Sequence, residues 1–212
     1  MILIATHKRV AITEKLVKKL FAEQCDIKIV LVVSLRTEEV YFKSLKLNNL
    51  HILITDNQPL GLKWHRGVQY CRNFSANPLI IIGSDDELNP KFVKNALKIL
   101  SHNIDFIGFN QFQVIHNKKK YTIDYKPEMP IGGGRVYSKK LLDQIDWKIF
   151  KPQLLKHLDD YGFQQVKQSG LDYLIIRDIR KMDMWVTAVK GSWTMMNPFN
   201  PYHPNLFIKC VE

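Results

Sequence analysis

The sequence predicts an α/β fold with a mostly parallel central sheet flanked by helices, followed by a second half of mixed α+β character. Three observations lead to this prediction. The chain has 212 residues, which is the size of one large domain. Four short apolar runs, each followed by a stretch with helical spacing, fill about the first 100 residues, as in proteins with a parallel sheet. Beyond them this alternation stops, and hairpin-like segments begin.

The first half is predicted to contain four β-α units. Thr13 and Thr37 are candidate helix starts, because a threonine hydroxyl can accept from a free N–H of the first helical turn. Asn89-Pro90 is a third, because proline suits the first helical position. The predicted strands are 2–6, 27–33, 51–55 and 79–82, and the predicted helices follow Thr13 and cover 37–46, 60–76 and 89–100.

The second half is predicted to mix hairpins with short helices. Segments 106–116 and 121–123 flank a basic tip and predict a hairpin. After Gly132-Gly133-Gly134, Ser138 is a candidate cap for a short helix to residue 144. The remaining predictions are a helix over 154–168, a last strand pair from 174–179 and 184–189, and an irregular tail from residue 191.

The composition is that of an ordinary folded protein with an excess of positive charge. Hydrophobic residues make up 46% and charged residues 24%, which excludes disordered and collagen-like classes. The 31 Lys and Arg residues against 20 Asp and Glu residues give a net charge of +11, which favours an anionic partner. The excess is spread evenly over both halves and no nucleic-acid motif is recognised, so we expect no nucleic acid as partner.

The sequence shows no targeting or membrane signal. No apolar run approaches the roughly 18 residues of a membrane helix, and MILIATHKR places its apolar residues before its basic ones, the reverse of a secretory signal. Cys25, Cys71 and Cys210 are far apart, which predicts reduced thiols rather than a disulfide framework or zinc site. We therefore expect a cytoplasmic protein without a membrane span.

Two adjacent carboxylates form the strongest candidate site. Asp85 and Asp86 follow the predicted strand 79–82 directly, and the carboxyl edge of a parallel sheet is where such sheets bind ligands. Carboxylates this close repel unless a cation lies between them, and their hard oxygens suit Mg²⁺ or Mn²⁺. In the alternative interpretation one of them merely caps the next helix, although Asn89 is better placed for that role.

Further polar and basic residues are expected near the same edge. A phosphate bridged by a metal is the natural ligand at such an edge, and cationic groups would stabilise its negative charge, although each of these cations could instead be an ordinary surface charge. Residues that end successive strands could contact the rest of such a ligand, and of these Asp56 is the best candidate, although it could also only form a turn. The candidate cations are Arg9, Lys63 and Arg66, and the candidate strand-end contacts are Thr6, Ser34, Asp56 and Ser84.

These segments together resemble the nucleotide-binding half of glycosyltransferases with the Rossmann-like GT-A fold, especially family two. The resemblance rests on IATHKR, IVLVVS, ITDNQPLGLKWHRGVQYC and IIIGSDDELNP, in this order and spacing over roughly residues 1 to 100. In that family an Asp-x-Asp-Asp pattern holds a divalent metal against the diphosphate of a nucleotide sugar. Here Gly83 stands where the first Asp usually lies, so metal binding would rest on Asp85, with Asp86 or Glu87.

The resemblance extends more loosely into the second half. IGGGRVYSKKLLDQIDW resembles the acceptor-side segment of these enzymes, and Asp159 and Asp160 stand where an acidic pair often supplies the catalytic base. A base is needed only if the reaction inverts the sugar's configuration. His203 is a candidate for completing the metal shell, or else a plain surface histidine. The size and lysine content also resemble capsid glycosyltransferases of chlorella viruses.

The resemblance implies one GT-A domain over 1–212, with a nucleotide-sugar-binding half (1–104) and an acceptor-side half (105–212). The implied function is metal-dependent transfer of a sugar from a nucleotide diphosphate sugar, UDP-sugar above all, to a hydroxyl of a glycan or glycoprotein, with Mn²⁺ or Mg²⁺ as cofactor. Three alternatives stay open. They are sugar nucleotidyl transfer on the same fold, a basic nucleic-acid-binding module, and a protein of this fold that binds a sugar nucleotide without turning it over.

Overall fold

The computed structural model confirms the predicted α/β class, with a mostly parallel sheet of seven described strands flanked by helices. A second sheet contains five described strands, most of them from the second half of the chain. The structure describes residues 1–23, 26–116, 119–124, 129–177, 184, 186–189 and 207–211.

Within these residues the chain alternates strands and helices up to α4 and mixes them afterwards. The helices are α1 (Val10–Glu23), α2 (Arg36–Ser44), α3 (Leu60–Arg72), α4 (Phe92–Leu100), α5 (Lys139–Gln144) and α6 (Leu158–Gln168). The strands are β1 (Ile2–Ala5), β2 (Ile29–Val33), β3 (Leu50–Ile54), β4 (Leu79–Gly83), β5 (Asp86–Leu88), β6 (Phe106–Phe109), β7 (Gln111–His116), β8 (Lys119–Asp124), β9 (Arg135–Tyr137), β10 (Tyr173–Ile176), β11 (Val186–Val189) and β12 (Phe207–Val211).

The large sheet has the strand order β10-β6-β9-β4-β1-β2-β3. Strands β4, β1, β2 and β3 are parallel, as the four β-α units predict, and β6 pairs in parallel with β10. Strand β9 runs antiparallel between β4 and β6, so a strand of the second half completes the sheet of the first. The carboxyl ends of β1 to β4 therefore share one edge.

The apolar core lies on both faces of this sheet, because alternate strand residues point to opposite faces. Ile2 and Ile4 of β1 belong to the face covered by α1, α2 and α4, while Leu3 belongs to the face covered by α3, α5 and α6. Strand β2 is buried along its whole length, which explains its uninterrupted apolar sequence. Helices on both faces leave the carboxyl edge as the place for a ligand.

Several predicted element boundaries are wrong. Helix α1 begins at Val10, so Thr13 lies inside it and is fully buried, donating to the Arg9 carbonyl at 2.8 Å. Asn89 accepts from the Lys91 N–H at 2.6 Å ahead of α4, which begins at Phe92. Helix α6 begins at Leu158 rather than at residue 154.

The predicted last strand pair is also wrong, although strands exist in both of its segments. Strand β10 pairs with β6 in the large sheet, whereas β11 lies between β7 and β5 in the small one. The segment after Gly83, between the predicted strand 79–82 and the predicted helix 89–100, contains the short strand β5, which pairs with β11. The two segments are close in the sequence, which suggested that they pair with each other, but each strand pairs with other parts of the chain.

Other local predictions of the second half are confirmed. Strands β7 and β8 form the predicted antiparallel hairpin, with Gln111 opposite Asp124, although residues 106–109 of its predicted first segment form β6 of the large sheet instead. Ser138 caps α5, and its hydroxyl accepts from the Leu141 N–H at 3.1 Å. None of the described helices is both long enough and apolar enough to cross a membrane.

Candidate active site

A cavity of about 530 Å³ opens beside the carboxyl end of β4 and contains three of the predicted site residues. It is lined by the end of β4, by the first two residues of the glycine turn (residues 132–134), and by the loop before α6 with the first turn of α6. Asp86, Asp159 and Asp160 line it, together with Trp64, Phe112 and Phe150 and with the segments 130–133 and 155–158. We call it the site cavity.

The two adjacent carboxylates have different surroundings. Asp86 lines the site cavity, and its Oδ2 accepts from the Gly83 N–H at 2.8 Å. Asp85 forms an ion pair with Arg9, with 3.1 Å between the Arg9 guanidinium and Asp85 Oδ2. The structure thus brings together Arg9 and Asp85, two residues predicted for phosphate and metal binding, and leaves Asp86 as the carboxylate that faces the cavity.

The glycine turn passes between two site carboxylates. A Cβ at Gly133 would lie 2.8 Å from Asp86 Oδ2, and a Cβ at Gly132 would lie 2.7 Å from Asp159 Oδ2. Both distances are so short that a Cβ at either position would displace the carboxylate, so the glycines allow the backbone to pass close to both side chains. Because consecutive Cα atoms are about 3.8 Å apart, the two carboxylates are at most about 12 Å from each other across the turn.

Arg135 fixes this turn from below. Its side chain is 1% exposed and donates to the carbonyls of Pro130 at 2.9 Å, Ile131 at 2.7 Å and Asp159 at 3.0 Å. The guanidinium also lies 3.6 Å from Asp159 Oδ1. One buried cation thereby ties the glycine turn to the start of α6 and holds the Asp159 carboxylate at the cavity wall.

The first turn of α6 carries both predicted base candidates. Asp159 and Asp160 are 43% and 47% exposed, and Asp160 Oδ2 lies 3.2 Å from His157 Nδ1. Negative side chains are favourable in a first helical turn because free N–H groups point toward them. His157 has a left-handed backbone with φ of 57°, which turns the preceding loop sharply into the helix.

The loop before α6 is anchored on the start of α3. Gly61 donates its N–H to the Leu154 carbonyl at 2.8 Å, and a Cβ there would collide with the carbonyls of Lys151 and Leu154. Trp64, one turn further along α3, stacks on Phe150 with ring centroids 5.5 Å apart. These contacts form the apolar wall of the cavity and join α3 of the first half to the second half.

A second group of predicted residues gathers at the ends of β1, β2 and β3. Lys63 of α3 donates to the Thr6 carbonyl, to Ser34 Oγ at 2.6 Å and to Asn57 Oδ1 at 3.1 Å. We call Lys63, Thr6, Ser34 and Asn57 the strand-end cluster. Lys63 is 1% exposed, and burial lowers the pKa of its ammonium to about 8. Direct contact between Lys63 and a phosphate would require this cation to leave its site.

Glu38 supports the strand-end cluster from α2. It is 2% exposed and accepts from the backbone N–H groups of Lys8 at 2.5 Å, Ser34 at 3.1 Å and Leu35 at 3.2 Å. A carboxylate is suited to several donors at once, since each oxygen carries two lone pairs. Glu38 therefore joins the loops after β1 and β2 below the edge where a ligand would bind.

The remaining predicted site residues fall into a buried group and an exposed group. Thr6 is 2% exposed and bonds Thr13 through its hydroxyl, and Ser84 is 4% exposed, so these two side chains do not line the cavity. Asp56 and Arg66 are exposed, 3.8 Å apart, and Arg66 also donates to Thr55 Oγ1 at 2.7 Å. A ligand at the strand edge could therefore reach the side chains of Asp56 and Arg66. His203 lies outside the described residues.

Sequence reasoning missed three residues that organise the site: Arg135, Glu38 and Asn57. Glu38 carried a weak signal, because a glutamate at the third helical position commonly turns back to the helix start. Asn57 lies between the predicted strand 51–55 and the predicted helix 60–76, at the carboxyl edge of the sheet where the site was expected. Arg135 carried no signal, since nothing in the sequence shows that a charged residue inside a short strand is buried under a turn.

Within the described residues, no group of three His, Cys, Asp or Glu side chains is arranged to hold a metal ion. Such a group is not needed for every metal site. Mg²⁺ usually keeps several waters and is bound by one or two carboxylates together with substrate phosphates. Asp86 lines the cavity with its carboxylate, and Asp85 is the next residue in the chain. This pair fits the second type of site.

Solved structures with the same fold were found by comparison. TarS from S. aureus superposes with a TM-score of 0.66 at 14% identity, covering 90% of this chain and 36% of that one. A shorter TarS structure in complex with UDP gives a TM-score of 0.63 at 13% identity, covering 89% and 60%. This chain therefore spans well under two thirds of TarS.

Two further structures match along most of both chains. A 4-diphosphocytidyl-2C-methyl-D-erythritol synthase gives a TM-score of 0.58 at 12% identity, covering 91% of each chain. A cytidylyltransferase from Leptospira borgpetersenii gives 0.50 at 10% identity, covering 84% of this chain and 75% of that one. No protein-family model and no curated protein sequence matches the chain.

At these identities the likeness establishes the fold, which is the GT-A-like, Rossmann-like fold expected from the sequence. The narrower resemblance to capsid glycosyltransferases of chlorella viruses stays a prediction, as does the division of the chain at residue 104.

Proposed function

We propose that this protein is a metal-dependent glycosyltransferase that moves a sugar from a nucleoside diphosphate to a hydroxyl group. One observation carries the proposal: Asp86 and Asp159 approach the same glycine turn from two sides and line one cavity. A carboxylate at the strand edge suits a metal-bound diphosphate, and a second one across the turn suits an attacking hydroxyl. A metal-dependent glycosyl transfer that inverts the configuration uses both carboxylates at once.

The donor would lie along the strand edge with its diphosphate toward Asp86. The exposed Asp56 and Arg66 lie at the end of β3, where a base or ribose would be bound. We propose a UDP-sugar, because a solved structure with this fold, TarS, is in complex with UDP. The sugar would then extend into the site cavity, whose volume of about 530 Å³ is within the usual range for small-molecule sites.

The residues present fit a hard divalent cation, Mn²⁺ or Mg²⁺, with Asp86 as its first protein ligand and Asp85 as the neighbouring carboxylate. When bound, such a cation stabilises the negative charge that develops on the departing diphosphate. Arg9 neutralises Asp85 and brings a second positive group to the same edge. A role for His203 in the metal site remains part of this proposal.

Asp159 and Asp160 would act on the acceptor. In the proposed step the acceptor hydroxyl oxygen bonds to the anomeric carbon, the bond from that carbon to the diphosphate oxygen breaks, and one carboxylate takes the hydroxyl proton. Asp159 is the better candidate, because Arg135 fixes its backbone and lies 3.6 Å from its carboxylate. The acceptor we propose is a glycan or glycoprotein, with inversion at the anomeric carbon.

A second candidate, sugar nucleotidyl transfer, is favoured by the cytidylyltransferase that shares this fold over most of both chains. The two reactions differ in what they release. Glycosyl transfer releases a nucleoside diphosphate, while nucleotidyl transfer consumes a nucleoside triphosphate and releases pyrophosphate. The product therefore separates them without knowledge of the acceptor.

The test is a release assay on the wild-type protein with UDP-, GDP- and dTDP-sugars, and in parallel with the nucleoside triphosphates and sugar 1-phosphates, each with Mn²⁺. We expect UDP release from a UDP-sugar, reduced at least about 100-fold in Asp86→Asn, since charge stabilisation at the reacting group is commonly worth this much. Asp146→Asn is the matched control, because Asp146 is exposed and does not line the cavity.

Pyrophosphate release would instead establish nucleotidyl transfer. Nucleoside diphosphate release that is unchanged in Asp86→Asn would contradict the proposed metal site. Release of neither product under any of these conditions would contradict the enzyme proposal as a whole.

A further inference from the structure

Lys63 joins three separate segments of the chain at one buried point. Its ammonium donates to the loop after β1 through the Thr6 carbonyl, to the end of β2 through Ser34 Oγ, and to the loop after β3 through Asn57 Oδ1. Its three N–H groups match these three oxygens in number. Ser34 also donates to Asn57 Oδ1 at 3.3 Å, so two of the acceptors are bonded to each other.

The same three segments form the edge where the proposed donor binds. Asp56 precedes Asn57, and Arg9 follows the loop that begins at Thr6. Trp64, the neighbour of Lys63 on α3, lines the site cavity. Along α3, Lys63 is thus one residue away from the cavity lining, although Lys63 itself, at 1% exposed, is covered.

We propose that Lys63 is a positioning residue of the donor site, which holds the loops after β1, β2 and β3 in the arrangement that receives a nucleoside diphosphate without touching it. This inference rests on the proposed function. Loops that are fixed before binding do not lose their freedom on binding, so a ligand binds them more tightly. Removal of Lys63 should therefore weaken donor binding and leave the rate at saturating donor nearly unchanged.

The charge of Lys63 gives the inference a second, independent consequence. Burial lowers the pKa of Lys63 from its ordinary 10.5 to about 8, and the nearby Glu38 carboxylate opposes this shift. A neutral lysine has two N–H groups for three acceptors, so one bond is lost above pH 8. The charged groups around the cluster are Glu38 of α2, Lys8 after β1, and Asp56 and Arg66 beside β3.

As the pH rises, the contribution of Lys63 to stability and its contribution to donor binding are expected to change in opposite directions. Because the pKa of Lys63 is lower in the folded than in the unfolded protein, the unfolded state binds more protons between pH 8 and 10.5. The contribution of Lys63 to stability therefore rises with pH through this window and is lowest below pH 8. Weaker donor binding above pH 8 would thus not follow from a loss of the stability that Lys63 contributes.

The experiment measures the Kd of UDP with Mg²⁺ by calorimetry for wild type, Lys63→Met and Lys98→Met, a control at an exposed position on α4. At pH 7 we expect the Kd of Lys63→Met to rise about tenfold, corresponding to loss of a charged hydrogen-bonding group. Lys98→Met should bind as wild type does. In the release assay, Lys63→Met should keep its kcat within about twofold while its donor KM rises.

A pH series on the wild type provides the test if Lys63→Met does not fold. From pH 7 to 9.5 the Kd should rise severalfold, with a midpoint near pH 8, while circular dichroism shows an unchanged fold. If Lys63→Met folds, its Kd should lack this midpoint.

A Kd that is independent of pH in the wild type, or equal in wild type and Lys63→Met, would overturn the inference while the proposed function stands. A loss of kcat at unchanged Kd would overturn it too, because it would indicate direct action on the reaction. If the wild type binds no nucleoside diphosphate, the proposed function fails and the inference fails with it.

Discussion

A single buried carboxylate shows how much of the site depends on individual residues. Glu38 is 2% exposed and accepts three backbone N–H groups from two loops. Buried N–H groups without a partner cost the full penalty of leaving water, whereas a satisfied group adds only modest stability. The main effect of removing Glu38 would therefore be the three backbone N–H groups left without an acceptor, rather than the loss of any single hydrogen bond.

We predict that Glu38→Ala destabilises the fold by about 3 kcal/mol, because the N–H groups of Lys8, Ser34 and Leu35 lose their acceptor. Denaturant unfolding followed by circular dichroism measures this change. Glu14→Ala is the control: Glu14 binds Lys18 and Tyr41 at the surface, so its removal should have little effect. Equal stability of the two variants would show that the bonds to Glu38 are not important.

Two neighbouring carboxylates that look equivalent in the sequence also have different surroundings in the structure. Asp85 is 14% exposed and paired with Arg9, while Asp86 lines the site cavity beside Gly133. Adjacent residues at a strand end point in different directions, so only one of them can face a given cavity. The resemblance to glycosyltransferases favoured Asp85 for the metal, and the geometry favours Asp86.

At the scale of elements, the glycine turn has a role that its composition alone does not reveal. Three consecutive glycines could equally be a flexible turn or a place of close approach. The structure favours close approach, because Gly132 and Gly133 each lie against a carboxylate of the cavity. Arg135 holds the turn in place through the carbonyls of Pro130 and Ile131, the two residues that precede it.

We predict that Gly133→Ala lowers activity at least about tenfold with little loss of stability, because only the Asp86 carboxylate must move to make room. Gly170→Ala should give the opposite result. Gly170 has a φ of 70° with open space around it, so alanine there costs about 1 kcal/mol of stability and leaves the site unchanged. Thermal unfolding and the release assay measure both properties.

The same loss of activity in both glycine variants, or a loss of stability in Gly133→Ala alone, would contradict this role of the turn.

At the scale of the whole molecule, the two halves of the sequence share one sheet. Strand β9 of the second half lies between β4 and β6, and α5 and α6 cover the face that α3 covers for the first half. Tyr137, Leu142 and Phe163 in the second half are 1% exposed or less within this shared core. The two halves of the chain thus contribute strands to one sheet and side chains to one core.

We predict that a fragment of residues 1–104 does not unfold cooperatively, because β4 loses its partner β9 and the α3 face loses its cover. A fragment of residues 1–177 is the control. It keeps all seven strands of the large sheet and should show a cooperative transition at lower stability. Denaturant unfolding followed by near-ultraviolet circular dichroism measures both, and a cooperative transition of the shorter fragment would contradict the prediction.

The sequence by itself determined the fold class, the four β-α units and the edge at which the site lies. These follow from local patterns, since apolar strands alternate with amphipathic helices and the polar residues follow the strand ends. It also placed Asp86, Asp159 and Asp160 among the candidates, and all three line one cavity. Their roles there stay predictions until the variants are measured.

Only the tertiary structure decided how the strands pair and which way the site side chains face. Strands β10 and β11 joined different sheets, Lys63 was buried under the edge it was expected to line, and Arg135 lay beneath the glycine turn. The physical reason is shared by all three. Strand pairing and burial depend on contacts between residues far apart in the chain, whose free energies a local pattern does not contain.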